Sequence, residues 1–216
     1  MFLSLSNDHC RGGCLVALLL LTGCVSEQPA ATVQSPPFVF RSLKLEQKTR
    51  KGLMDWSLNS PEARYELNRR LVRAVQPVGV LYRKGKPSFK VQSDLALVVN
   101  DGEQILLEGD VRLQQLTGSK LLIQGDRLRW RPEQGRLLIE QRPRATEKDS
   151  RISASEAELL QQTNDLTLKG VVLLERWSKP SGPSNPDTTL RTGIAQWNLD
   201  SGLLSAVGPV LAQRRD

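Results

Sequence analysis

Histidine and cysteine are scarce, and their positions matter more than their number. The single histidine, His9, and the three cysteines, Cys10, Cys14 and Cys24, all fall within the first 24 of 216 residues. Beyond them the chain has neither thiol nor imidazole, so no intrachain disulfide, no His/Cys metal cluster and no histidine general base can be built there. There is no G-x-S-x-G, no P-loop and no G-x-G-x-x-G. Counting does not remove a Ser–Lys or paired-carboxylate site, but no pattern points to one. The chain therefore reads as a non-enzyme, without metal or cofactor. Aromatic residues are only 5% of the sequence. The longest apolar run, residues 15–21, is too short for a confident membrane-spanning helix. Acidic residues (23) are outnumbered by basic ones (30), for a net charge of +7. That balance suits either a solvated basic surface or an anionic partner: nucleic acid, a membrane surface or an anionic lipid. The basic residues lack interleaved aromatics, which argues against nucleic acid.

What is present begins with a targeting pattern. Arg11 precedes the apolar run Leu15-Val16-Ala17-Leu18-Leu19-Leu20-Leu21, which has the dimensions of a signal-peptide core. The run ends in Leu21-Thr22-Gly23-Cys24, which resembles a bacterial lipobox. By that resemblance residues 1–23 are a lipoprotein signal peptide, and Cys24 is lipidated and becomes the first residue of the mature chain. The alternatives are an ordinary signal peptide or an uncleaved anchor. Residues 24–37, small, polar and proline-bearing, read as a tether, and residues 38–213 as one domain.

Within that domain one stretch recurs. Ile105, Leu107, Val111 and Leu113 alternate with Glu108, Asp110 and Arg112 about Gly109, the pattern of a half-buried strand. Leu166, Leu168, Gly170, Val172 and Leu174 repeat it, as do Leu204, Ala206, Gly208, Val210 and Ala212. Looser copies centre on Gln76 and Gln141. Eighteen residues before each centre stand Leu58, Val91, Ile123, Ile152 and Leu190. Five further on stand Ala63, Ala96, Leu128, Ala157 and Ala195, and two beyond those Tyr65, Val98, Trp130, Leu159 and Trp197. Turn formers separate the halves at Asn100-Asp101-Gly102, Pro132-Glu133-Gln134-Gly135, Asn164-Asp165 and Asp200-Ser201-Gly202. The fold is therefore all-β, built from about five two-strand repeats. A preceding hairpin pairs 38–46 with 54–60. Residues 60–75 could be a helix opened by Ser60-Pro61-Glu62, but the repeat frame predicts strand–turn–strand. Residues 178–188 are a Pro/Gly/Ser insertion.

An open stack of short strands buries one face against another and leaves two free edges. The predicted inward residues are Val91, Ile105, Leu107, Val111, Leu113, Ile123, Leu128, Trp130, Leu137, Ile139, Ile152, Leu159, Leu166, Leu168, Val172, Leu174, Leu190, Trp197, Leu204 and Val210. They form either a dry core or a greasy slot for acyl chains. The cluster Arg127, Arg129, Arg131, Arg136, Arg142 and Arg144 is expected on outward faces, with lipid phosphates at a groove mouth as the alternative.

The recurring pattern, seen as Val91-Gln92-Ser93-Asp94-Leu95-Ala96, Ile123-Gln124-Gly125-Asp126-Arg127-Leu128-Arg129-Trp130 and Ile152-Ser153-Ala154-Ser155-Glu156-Ala157, resembles the OstA-type repeat of periplasmic lipopolysaccharide-export proteins. The opening Trp56-Ser57-Leu58-Asn59-Ser60-Pro61-Glu62-Ala63-Arg64-Tyr65 is similar to the start of the LptC family. The resemblance implies an open β-jellyroll, a folded-over antiparallel sheet. It also implies a protein on the periplasmic face of the inner membrane that holds lipopolysaccharide or a related glycolipid among the inward residues. Its partners would be an inner-membrane ABC transporter at the N-terminal edge (38–45) and an LptA-like jellyroll at the C-terminal edge (203–211). An LptC protein usually carries a transmembrane helix where this chain has a lipobox, so the choice of membrane stays open. So does a second function: a structural envelope lipoprotein that scaffolds assemblies through its edges and carries no lipid.

Overall fold

The computed structural model describes residues 36–118, 120–178 and 185–214; the signal peptide, Cys24 and most of the tether lie outside them. The strands are β1 (Phe38–Lys48), β2 (Met54–Glu66), β3 (Leu71–Val75), β4 (Val78–Arg83), β5 (Lys86–Gln92), β6 (Leu95–Val99), β7 (Gln104–Gln115), β8 (Leu122–Arg131), β9 (Arg136–Glu140), β10 (Arg144–Glu147), β11 (Ser150–Ser153), β12 (Glu156–Leu160), β13 (Asp165–Arg176), β14 (Thr188–Asn198), β15 (Leu204–Val207) and β16 (Leu211–Arg214). All belong to one 16-stranded sheet, and every pairing is antiparallel. Residues 60–75 are strand, a short 3-10 turn and strand, as the repeat frame requires.

The sheet is folded over along a crease, and the repeat centres make it. Gln76, Gly109, Gln141, Gly170 and Gly208 all adopt positive φ, from 47° to 94°. A left-handed residue turns the strand and breaks the ladder register; the pairing of β7 with β8 slips between Glu108 and Val111, and that of β13 with β14 between Lys169 and Val172. Prolines stand where the ladder is already interrupted: Pro61, Pro77, Pro143 and Pro209. The crease does not leave its backbone unpaired. Gln76 N donates to Asp94 O at 2.8 Å, Asp94 N to Gly109 O at 2.9 Å, Asp126 N to Gln141 O at 3.1 Å and Ser155 N to Lys169 O at 3.1 Å.

Each long strand therefore contributes one half to each of two leaves. The first leaf runs β1 (43–48), β2 (54–59), β4, β5, β7 (111–115), β8 (122–125), β10, β11, β13 (172–176), β14 (188–192), β16. The second runs β1 (38–41), β2 (62–66), β3, β6, β7 (104–108), β8 (127–131), β9, β12, β13 (165–169), β14 (194–198), β15. The recurring unit is thus a pair of bent strands shared between leaves rather than a simple hairpin. One edge is β1; the other is β15 with β16.

The apolar columns of the sequence become ladders running across the leaves. In the second leaf Tyr65, Val72, Val98, Ile105, Trp130, Leu137, Leu159, Leu166, Trp197 and Leu204 are successive cross-strand partners. In the first leaf Leu45, Leu58, Gly79, Val91, Leu113, Ile123, Ala145, Ile152, Leu174, Leu190 and Ala212 are. Side chains of the two leaves meet in one hydrophobic cluster, each large member adding roughly 1.5–3 kcal/mol when buried.

Candidate functional site: the apolar interior and its two ends

Among the described residues, the space between the leaves gathers the predicted inward residues. Ile105, Leu107, Val111, Leu113, Ile123, Leu128, Trp130, Leu137, Ile139, Ile152, Leu159, Leu166, Leu168, Val172 and Trp197 are all buried there, and Leu174 and Leu204 pack against them partly covered. Val210 departs from the expectation. It is 49% exposed, because it follows the Gly208 bend on the outermost strand pair, where no further strand covers it.

The middle of the interior is closely packed by its own side chains. The end at β1 is not. There a cavity of about 500 Å³ is lined by Phe40, Leu43, Leu45, Glu46 and Gln47 of β1, Trp56 and Tyr65 of β2, Val72 and Val98 from β3 and β6, and Asp101. Both leaves contribute, so the cavity is the mouth of the interior. The sequence reading assigns Phe40, Leu43 and Leu45 to a partner edge (38–45) rather than to the interior, and does not include Tyr65 or Val72 among the inward residues; the alternation of Phe38 with Phe40 and of Leu43 with Leu45 is the available signal.

Two indoles meet behind this mouth. Trp56 and Trp130, from opposite leaves, pack edge to face with centroids 5.5 Å apart. Trp56 Nε1 donates to Gln47 Oε1 at 3.1 Å, whereas the buried Nε1 of Trp130 has no acceptor, an uncommon state for an indole N–H.

Away from the crease the leaves are held together by polar contacts. Arg83, at the end of β4, forms a two-pronged ion pair with Asp200 in the β14–β15 turn at 2.6 and 2.9 Å. Asn164 Nδ2 donates to the same carboxylate at 2.7 Å, and Gln161 Nε2 donates to Tyr82 O at 2.7 Å. Arg83 and Asn164 hold the Asp200 carboxyl below its ordinary range. These contacts close the interior on the side where the strand turns meet.

Exposed apolar side chains collect at the sheet edges. Phe38, Val39 and Phe40 stand open on β1; Leu203, Val207, Val210 and Leu211 stand open around β15 and β16. The arginine cluster lies on outward faces. Arg127 pairs with Glu108 at 3.0 Å, Arg129 with Glu140 at 3.3 Å, Arg142 with Asp126 at 2.8 Å, and Arg136 with Glu158. Arg142 lowers the Asp126 carboxyl through that contact. Arg131 and Arg144 have no ion-pair partner among the described residues. No helix among the described residues is long and apolar enough to cross a membrane.

No curated protein matches the chain. Among solved structures, the crystal structure of LptH, the LptA-homologous periplasmic component of the lipopolysaccharide transport device of Pseudomonas aeruginosa, aligns over 60% of this chain and 90% of its own, at 11% identity and a TM-score of 0.44. The family model for LptC-related lipopolysaccharide assembly matches residues 13–137. With more than half its length covered by that model, the chain belongs to the LptC-related family of lipopolysaccharide-assembly proteins.

Proposed function

We propose that this protein is a periplasmic carrier in lipopolysaccharide transport, anchored through lipidated Cys24 and the 24–37 tether to the inner membrane. It accepts glycolipid from an ABC transporter at the β1 edge and passes it to an LptA-like jellyroll at the β15–β16 edge. The observation that carries the reading is the pair of apolar ladders that cross the molecule without a charged interruption and end at two apolar edges. Acyl chains held between the leaves are hidden from water, at about 0.8 kcal/mol per buried CH₂. Each unpaired edge can accept a neighbour's strand through main-chain hydrogen bonds. The cavity at the β1 mouth supports loading at that end. No catalytic step is assigned; the driving energy comes from the transporter.

The close packing in the middle of the interior favours a second reading, an envelope scaffold that works through its edges with a permanently dry core. The transport reading is tested by placing a photo-crosslinking amino acid at Phe40 or at Val207 in cells. The carrier reading expects Phe40 to capture a membrane subunit of a transporter and Val207 a soluble jellyroll protein, both with glycolipid in the complex. Capture of the same partner at both edges, without glycolipid, would support the scaffold.

A further inference from the structure

A second cavity, of about 400 Å³, lies outside the apolar interior, between the β1–β2 and β4–β5 turns. Its walls include Thr49, Arg50, Lys51 and Leu53 from the first turn, Tyr82, Lys84 and Gly85 from the second, and Asp55 and Gln162 beside them. The turns touch: a methyl group added at Gly85 would sit 3.4 Å from the Leu53 side chain. The first turn is internally fixed, with Thr49 N donating to Leu53 O at 2.8 Å, Gly52 N to Thr49 O at 2.9 Å and Leu53 N to Thr49 Oγ1 at 3.2 Å.

The charge state of this cavity sets it apart. Several basic residues elsewhere on the sheet are paired with a carboxylate, as at Arg127, Arg129, Arg142 and Arg151. Arg50, Lys51 and Lys84 have no ion-pair partner among the described residues, nor do Lys48 and Lys86 flanking the same turns. The one carboxylate on the wall, Asp55, forms no ion pair with these cations, and burial pushes its carboxyl up. Three basic side chains without a salt bridge line this concavity, Lys84 also lying within electrostatic reach of Asp200, and Thr49, Tyr82 and Gln162 supply neutral hydrogen-bonding groups; such a donor-rich set matches the surround of a phosphate.

We infer that this cavity binds a phosphate monoester, with Arg50, Lys51 and Lys84 as its charged ligands. Its volume admits a phosphorylated sugar, so the source is either a phosphorylated glycolipid headgroup or a free phosphate. The site is separate from the interior and stands whether or not the interior holds acyl chains.

The test is calorimetric titration of the detergent-solubilised full chain with glucose 1-phosphate, with inorganic phosphate and with uncharged glucose, none of which has an acyl chain to occupy the interior. The triple variant Arg50→Gln/Lys51→Gln/Lys84→Gln is compared with Lys90→Gln/Lys120→Gln/Lys148→Gln, which removes the same charge elsewhere. Circular dichroism confirms that both fold. The expected result is binding of the phosphates at millimolar concentration or below, none of glucose, and a loss of about tenfold or more in the first variant only, the scale of losing a charge-assisted hydrogen bond. Tighter binding of the sugar phosphate assigns the site to a headgroup; equal or tighter binding of inorganic phosphate assigns it to the free anion. Absence of binding, or equal loss in the two variants, overturns the inference.

Discussion

The crease offers a graded test of the fold, because three of its glycines share a backbone conformation but not a packing environment. Gly109, Gly170 and Gly208 have φ of 75°, 91° and 94°. An alanine in that region costs about 1–2 kcal/mol in the native state and recovers about 0.4–1 kcal/mol by stiffening the unfolded chain. At Gly208 nothing lies within 4 Å of the added methyl, so Gly208→Ala should cost about 1 kcal/mol or less. At Gly109 the methyl would stand 3.0 Å from Asp94 Cβ and press on its carboxylate. That side chain can swing away, and a total near 2 kcal/mol follows. At Gly170 the methyl would stand 2.6 Å from Ser155 Cβ, an atom fixed to the backbone, so the leaf itself must shift and about 2–4 kcal/mol is expected. Ser155→Gly in the Gly170→Ala background should return the steric part and leave the φ part. Urea unfolding followed by the fluorescence of buried Trp56, Trp130 and Trp197 reads all four proteins. Equal costs at the three glycines would refute the packing argument, and no cost at any would refute the crease.

The remaining predictions concern burial and charge. Leu107→Ala, in the centre of the interior, should destabilise by about 2–5 kcal/mol, whereas Leu203→Ala, 65% exposed, should stay within about 0.5 kcal/mol; the same urea titration decides both. The Asp126, Asp165 and Asp200 carboxyls are lowered by Arg142, by Thr163 with Asn198, and by Arg83 with Asn164 respectively. A folded pKa below the unfolded one stabilises above about pH 4 and is lost as pH falls through the folded value. Asp200→Asn should therefore lower stability at neutral pH, with the difference from the parent closing in acid; a difference independent of pH would contradict the ion pair. Asp55 has the opposite sign, since burial raises it, and Asp55→Asn should raise stability at neutral pH.

Much of the fold was legible because a bend does not change which residues are cross-strand neighbours. Leu58, Val91, Ile123, Ile152 and Leu190 share a column in the sequence and lie on one ladder in the first leaf. The centres of the repeats were visible as small or polar residues. That they are left-handed, and so send the two halves of each strand into different leaves, has no signature at Gln76 or Gln141 beyond the prolines that follow. Val210 was misjudged as inward because alternation reports a face and not whether a neighbour covers it. The polar contacts between the leaves were invisible: Arg83 and Asp200 are 117 residues apart and meet only through the path of the sheet. The β1 mouth is harder to read for a related reason, since half of its lining comes from β1, which precedes the repeats.

The most direct measurement is native mass spectrometry of the full chain purified from a lipopolysaccharide-producing envelope, with and without Leu168→Arg. The carrier account predicts a bound glycolipid mass, displaced by excess lipid A and absent from the variant while circular dichroism shows its sheet intact. An apo mass that takes up no added lipid, or a folded Leu168→Arg protein that loads lipid like the parent, would contradict it.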